Sequence, residues 1–431
     1  MRILFVIDQP LVSPRDAIAG LQVRTLELAQ ALSTIGHDVT IAQTSDPTHA
    51  DPLLPITITS VEALVRLPRF DAAIAVAPTL NRVRTRVRAA RWILDGYEAP
   101  FGSFLSHAAS LYADRPAIVD AWYQSTVSEY LAALAIADGV ICANPNQRLC
   151  YQTLLCTIGA VTPGDVRPND VMVVHSGVSP SPPAAGDDRF DGIARKGPVV
   201  LWVGPVYPWF DLQAYVGAIP AIAEAVPATQ FVFVGLAGVD GASRRWTEAT
   251  VRETLATSSL NRRLHFMPWL PYDARGVMYG TAAVAVCAYH AGLETTLSMR
   301  TRLLDMVWGR VPIVTTGGDW LSEFLRSHAA ALIVRPNDRS ALATAVIELL
   351  TDRAKAEAMR GASRRLGENE LSWKTQIASL DSFLSRAIGA SDGPRPKPNG
   401  AVRIRRSRWM SAAAMLVARA RTKTSTLWRS S

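Results

Sequence analysis

The chain has 431 residues, 49% of them apolar and 19% charged, which predicts two or three domains with large cores and excludes a disordered chain. Its net charge of +8 sits at one end: Arg403, Arg405, Arg406, Arg408, Arg419, Arg421, Lys423 and Arg429 have no acid among them, and without these eight the remaining 37 basic residues match 37 acids. A neutral body excludes nucleic-acid binding as the source of the charge.

No apolar run approaches the ~20 residues of a membrane span. The run Met1 to Asp8 is too short for a signal peptide and has no cleavage site, so a cytosolic chain is expected. Cys142, Cys150, Cys156 and Cys287 show no CxxC spacing. Small buried or half-buried thiols are expected there, and neither a metal site nor a disulfide framework.

Ile3 to Ile7 is a continuous apolar run, as in a central parallel strand. Pro10, Ser13, Pro14 and Gly20 make a loop. Val23 to Ile35 has helical spacing through Leu26, Ala29 and Leu32, ended by Gly36, and Val39 to Ala42 is a second strand. This is a βαβ unit. Ala72 to Val76, Arg91 to Leu94, Val140 to Ala143 and Met172 to Val174 are further strands, and Val127 to Ala137 and Gln147 to Ile158 are helices. Residues 1–180 thus form one Rossmann-like domain.

Residues 181–198, rich in Pro, Gly and Asp, predict a linker, with the acids of Asp188-Arg189-Phe190-Asp191 solvated. The pattern then restarts. Val199 to Val203, Phe231 to Val234, Leu264 to Met267, Ala282 to Cys287, Pro312 to Thr315 and Leu332 to Val334 are strands. Leu212 to Ala225, Trp246 to Leu255, Asp319 to Arg326, Arg339 to Leu350 and Arg353 to Leu366 are helices. A second Rossmann-like domain over 199–372 follows, then a helix over 373–390 that crosses back to the first. Paired domains of this kind take ligands at the carboxyl ends of their strands and in the cleft between them. Residues 391–431 are a spacer and a basic tail. That tail has two equal readings, an amphipathic segment on anionic lipid at the inner membrane face or a disordered end.

One stretch carries chemistry. Gly292 to Asp305 lies between two buried strands, with Ser298, Arg300 and Arg302 at a helix entrance and Asp305 about a turn on. A helix N-terminus favours anions, arginines match phosphate oxygens, and a carboxylate accepts bonds from sugar hydroxyls. Together these read as a site for a nucleotide-diphosphate sugar. Neither domain has a G-x-G-x-x-G or Walker A loop after its first strand, which excludes a dinucleotide enzyme.

Several segments carry a family resemblance. They are Gly36-His37-Asp38-Val39, Asp95-Gly96-Tyr97-Glu98-Ala99-Pro100-Phe101, Ala137-Asp138-Gly139-Val140-Ile141-Cys142-Ala143 with Gln147-Arg148, and Leu201-Trp202-Val203-Gly204-Pro205-Val206-Tyr207-Pro208-Trp209-Phe210-Asp211. Trp269-Leu270-Pro271-Tyr272 with Arg275, and Gly317-Gly318-Asp319, complete the set. In order and spacing they resemble GT-B glycosyltransferases of family 4 over nearly all of residues 1–390. The resemblance implies an α/β GT-B fold, two Rossmann-like domains facing across a cleft. It implies retaining transfer from a nucleotide-sugar donor to a glycan or lipid-linked acceptor, with neither metal nor cofactor beyond that donor.

The family's acid pair is eight residues apart. Asp305 matches the second acid, expected on the ribose; the first falls on Leu297, and Glu294, three residues earlier, either substitutes for it or acts differently. The Gly204 loop lacks the family's Arg and Lys, so Arg300 and Arg302 are expected to replace them. Their alternation suggests that only one faces the phosphates, with Arg300 preferred. The expected catalytic set is Arg300, Glu294 and Glu98. The expected donor set is Gly20, Gly204, Trp209, Asp211, His290, Ser298, Arg302 and Asp305. Trp209 and His290 keep a structural alternative, Glu98 and Asp95 either meet acceptor or sugar or cap a helix, and Trp202 and Trp269 are expected as core or packing residues. Two rivals remain: a catalytically silent relative acting as a scaffold at the membrane, favoured by the missing first acid, and a sugar-nucleotide epimerase, which needs acid–base groups that His290, Glu98 and Glu294 do not clearly supply.

Overall fold

Apolar side chains on both faces of successive short runs force those runs between layers of helices. The computed structural model describes residues 1–389 except 9–19, 44–55, 67, 109–111, 113, 164–170, 180–182, 184–185, 237–245, 256–258 and 273. The basic tail therefore lies outside the described residues, as does part of the expected linker.

The first domain contains β1 (Arg2–Ile7), β2 (Asp38–Gln43), β3 (Thr57–Ser60), β4 (Phe70–Ala75), β5 (Ala89–Asp95), β6 (Gly139–Cys142) and β7 (Val171–Val173). All neighbours are parallel, in the order β3-β2-β1-β4-β5-β6-β7. The second contains β8 (Val199–Val203), β9 (Gln230–Val234), β10 (Leu264–Met267), β11 (Val284–Cys287), β12 (Ile313–Thr316) and β13 (Leu332–Val334). Its order is β10-β9-β8-β11-β12-β13, again parallel. Each order reverses beside its first strand, between β1 and β4 and between β8 and β11, and such switch points open a crevice at the carboxyl ends.

The last helix, Trp373–Gly389, does cross to the first domain. It buries Leu380, Phe383 and Leu384. His37 Nε2 lies 2.8 Å from Asp381 Oδ1, and Arg91 Nε donates to the Ala387 carbonyl at 2.8 Å. Phe383 also explains Gly139, where a Cβ would stand 2.6 Å from the ring.

Three local expectations need correction. The linker contains a helix, Asp188–Ala194, capped by Asp187 on the Arg189 amide, with Phe190 and Ile193 buried; apolar residues three apart make one buried stripe, so the segment packs instead of spanning solvent. Gly20 is not in a loop but opens the helix Gly20–Thr34. Trp202 is fully buried in the core, and Trp269, 39% exposed, packs across Gly235, where a Cβ would come within 2.2 Å of its ring. Cys142 and Cys287 are buried and Cys150 is half-buried, but Cys156 is exposed, and all four are free thiols. Among the described residues no helix is long and apolar enough to cross a membrane.

Candidate functional site

The carboxyl ends of the two sheets face each other, and the site is built where they meet. After β8 the chain turns at Gly204, with φ +88°, and a Cβ there would stand 2.8 Å from the Arg302 guanidinium. Arg302 donates through Nη2 to the Pro205 carbonyl and lies 3.8 Å above the Phe210 ring.

After β11 the sequence predicts one loop and one helix, but the structure makes two short helices, Leu293–Leu297 and Thr301–Trp308. Ser298 is extended between them, and Arg300 stands just before the second helix with φ −80° and ψ 80°. The break has a cause in the other domain: Asn144 donates through Nδ2 to the Leu297 carbonyl at 2.8 Å, and Asn146 to the Thr296 carbonyl at 2.9 Å. These bonds occupy carbonyls that a continuous helix would use.

The break overturns the alternation argument for the two arginines. Arg300 is outside the helix and Arg302 is in its first turn, so they need not diverge. Arg300 lies 3.9 Å above the Tyr289 ring, Arg302 lies above Phe210, and those two rings are 4.8 Å apart. Both cations therefore share one aromatic floor. Arg300 is only 4% exposed, yet its Nε and Nη2 have no hydrogen-bond partner, and neither has Arg302 Nη1. Buried cationic donors without partners are costly, and such a pair matches an anion with several oxygens.

Carboxylates surround this pair. Burial pushes the Glu294 carboxyl up, and Arg300 and then Ser298 draw it back. Asp319 caps the helix Trp320–Ser327 through Oδ1 on the Ser322 amide at 2.9 Å, while its buried Oδ2 has no partner. Burial raises its pKa and Arg300 opposes the shift. Asp211 caps the helix Leu212–Ala225 through the Ala214 amide at 2.9 Å, and its Oδ2 lies 3.8 Å from His290 Nδ1. His290 Nδ1 also meets Asn337 Oδ1 at 3.2 Å. Asp305 forms a separate pair, 3.1 Å from Arg275 Nε; burial raises its pKa, with Arg275 opposing.

The first domain supplies the opposite wall. Glu98 is reachable by solvent but enclosed by the cleft. That enclosure, then the Glu294, Asp8 and Asp95 carboxylates, pushes its pKa up to about 7. Tyr97 meets Thr301 through its hydroxyl, and that hydroxyl also stands where a Cβ on Gly20 would be, at 2.7 Å. Trp209 stacks on Tyr207 at 4.9 Å, and the His107 ring meets Trp209 edge-on at 5.1 Å, so this aromatic corner joins both domains. Asp95 neither caps a helix nor opens onto the cleft. It is 5% exposed and pairs with the buried Arg24 guanidinium at 2.9 Å.

Of the expected site residues, the structure brings Arg300, Arg302, Glu294, Gly204 and Ser298 together, with Glu98 opposite. Asp211, His290 and Trp209 line the entrance beside them, Gly20 stands at the Tyr97–Thr301 contact, and Asp305 lies apart with Arg275. The sequence reasoning missed the structural roles of Asp319, Arg275, His107 and Tyr207. Asp319 and Arg275 did stand in segments carrying the resemblance; His107 had no local signal. Among the described residues no group of three or more His, Cys, Asp or Glu is arranged to hold a metal ion.

Residues 197–352 match the family described as Glycosyl transferases group 1. A phosphatidyl-myo-inositol mannosyltransferase of Mycobacterium leprae is 24% identical over 343 residues, covering 78% of this chain and 84% of its own length. Among solved structures, sucrose-phosphate synthase from Thermosynechococcus elongatus aligns with a TM-score of 0.63 at 19% identity, covering 90% of this chain and all of that one. HepE of Anabaena, solved with UDP and glucose, aligns with a TM-score of 0.63 at 12% identity over 89% of this chain and 99% of its own. Two doubly wound parallel sheets facing across one cleft define the GT-B class. The chain has that fold, and its second domain matches the group 1 glycosyl transferases, in keeping with its sequence motifs.

Proposed function

We propose that the protein moves a sugar from a nucleotide-diphosphate donor to a hydroxyl of a glycan or lipid-linked acceptor, with retention at the anomeric carbon. The observation that carries this reading is the pair of cations on one aromatic floor, with three buried guanidinium nitrogens unpartnered. In the transfer the bond from the anomeric carbon to the diphosphate oxygen breaks, and a bond to the acceptor oxygen forms. Negative charge grows on the departing diphosphate, where Arg300 and Arg302 stabilise it. The acceptor's proton passes to a diphosphate oxygen, so no strong protein base is required.

In this scheme Ser298 and the Gly204 turn flank the phosphates and Asp305 accepts from the ribose. Asp211, His290 and Trp209 border the donor, and Glu98 and Glu294 stand where the acceptor hydroxyl meets the sugar. The lipid-linked acceptor draws support from the named activity of the mannosyltransferase relative. A membrane contact through residues 401–431 belongs to the same proposal, since an anionic surface attracts a basic segment.

The test is a thermal-shift screen with UDP, GDP, dTDP, ADP and their sugars. Binding at 100 times Kd stabilises by about 2.7 kcal/mol, and one nucleotide family is expected to do so. Arg300→Ala is expected to keep the fold and to lower turnover by roughly 100-fold or more, the usual loss of one charge-stabilising donor. Normal turnover in that variant would refute the assignment.

A further inference from the structure

Arg300 has unused donors, whereas Arg275 is committed. Its guanidinium is sandwiched between the Tyr272 ring at 3.5 Å and the Trp308 ring at 4.2 Å, and the residue is 8% exposed. Nε donates to Asp305 Oδ1 at 3.1 Å and Nη1 to the Tyr272 carbonyl at 2.5 Å. Two rings and two acceptors fix one orientation of the planar fork, and Asp305 is the carboxylate it holds. The Asp305 side chain is still 32% exposed, and Oδ2 lies outside that bond.

The same assembly reaches the other domain. The Tyr272 hydroxyl donates to Glu27 Oε1 at 3.4 Å, and Glu27 stands on the first-domain helix Gly20–Thr34. Burial pushes the Glu27 carboxyl up, while Arg275 and the Tyr272 hydroxyl draw it back. Glu27 thus feels the same arginine that orients Asp305.

We propose that Arg275 is the positioning residue for Asp305 and that Tyr272 ties it to Glu27, so that seating of the donor's ribose and closure of the two domains are one event. This rests on the donor reading above. A ligand that engages Asp305 gains from a closed cleft, and a closed cleft holds Asp305 ready, a reciprocal coupling. Inorganic pyrophosphate has no ribose and bypasses the chain of contacts through Asp305, whereas a nucleoside diphosphate uses it.

The experiment titrates the full-length protein with UDP, GDP, dTDP, ADP and inorganic pyrophosphate by calorimetry. Tyr272→Phe keeps the ring over Arg275 and removes only the hydroxyl. It is expected to weaken the nucleoside diphosphate that binds wild type by roughly fivefold, the low end of site-to-site couplings, and to leave pyrophosphate unchanged. Glu27→Leu should give the same loss, and the double variant no further loss, as for two members of one contact. The donor KM rises by that factor while kcat at saturation stays within twofold. Arg275→Lys weakens the nucleotide more than Tyr272→Phe and again spares pyrophosphate. Unchanged nucleotide affinity in Tyr272→Phe overturns the proposal, as does an equal loss for pyrophosphate, which marks a general structural effect. Wild type that binds none of the four nucleoside diphosphates but binds pyrophosphate overturns the donor reading itself, and this coupling with it.

Discussion

Gly102 separates the stability of each domain from their closure, because one substitution there acts on the two with opposite signs. It lies inside the first-domain helix Pro100–Ala108, where alanine is the better helix former by up to ~1 kcal/mol. A Cβ at this position would stand 2.6 Å from both the Cα and the amide nitrogen of Glu294, and 3.0 Å from the Leu293 carbonyl carbon. These are backbone atoms and cannot rotate aside. Ordinary contact begins at 3.4 Å, so Gly102→Ala forces the two helices apart by about 0.8 Å. That shift moves Glu294 against Glu98 and Arg300, and a misplacement near 1 Å can cost about 100-fold in rate. The assay pairs thermal unfolding with transfer measured at saturating donor. Gly102→Ala is expected to unfold at the wild-type temperature or above it, while transfer falls at least ~10-fold. A rate within twofold of wild type would refute the packed interface as the working arrangement. A fall in both quantities would show that Gly102 serves folding and not closure.

Two further outcomes follow from the site. Gly204→Ala places a Cβ 2.8 Å from the Arg302 guanidinium at φ +88°; it should lose about 1–2 kcal/mol in denaturant unfolding from the left-handed backbone and also weaken nucleoside diphosphate binding, and unchanged binding would mean Arg302 does not face the phosphates. In the proposed closure, burial and then the approach of Glu294 push the Glu98 pKa up to about 7. Above that pH both domain states leave Glu98 ionised; between its ordinary range and about 7, closure takes up a proton, so nucleotide affinity should rise as pH falls through this window. Calorimetry in buffers of different ionisation enthalpy should detect that proton, and Glu98→Gln should abolish it.

Most strands were legible because each is a short apolar run with no competing period, whereas β3 (Thr57–Ser60) reads Thr-Ile-Thr-Ser and gives no such signal; the helix over Leu212 to Ala225 has the bounds its sequence implies. The helix Asp188–Ala194 was hidden by its setting: the signals for it, Asp187 as a cap and Phe190 with Ile193 on one face, sit in a segment dense with Pro and Gly. The break between Leu297 and Thr301 could not be read locally. No Gly or Pro marks it, and its cause is Asn144, some 150 residues earlier in the chain. Asp95 was misjudged for the same reason, since its partner Arg24 stands 71 residues away. By type alone Trp269 fits either a core or a packing role. Only the bare backbone of Gly235 against its ring explains how it packs while staying 39% exposed.

The strongest case for a silent relative is Leu297, apolar where the family places its first acid. The structure weakens that case on energetic grounds. Leu297 is 6% exposed and packs where the domains meet, while Glu294, three residues earlier, is 9% exposed and feels Arg300. An acid is thus present near the cations, on a different turn of the chain. Around it, Arg300, Arg302, Asp211 and Asp319 each keep a buried polar atom without a hydrogen-bond partner. A chain serving only as a scaffold would be more stable with apolar residues of similar volume at such positions, because buried ions are costly unless fully paired. Folding does not require this arrangement, and local rules are most often broken where a ligand completes them. A donor bearing two phosphates and a polyhydroxyl ring would satisfy the free guanidinium nitrogens with phosphate oxygens and the free carboxylate oxygens with sugar hydroxyls.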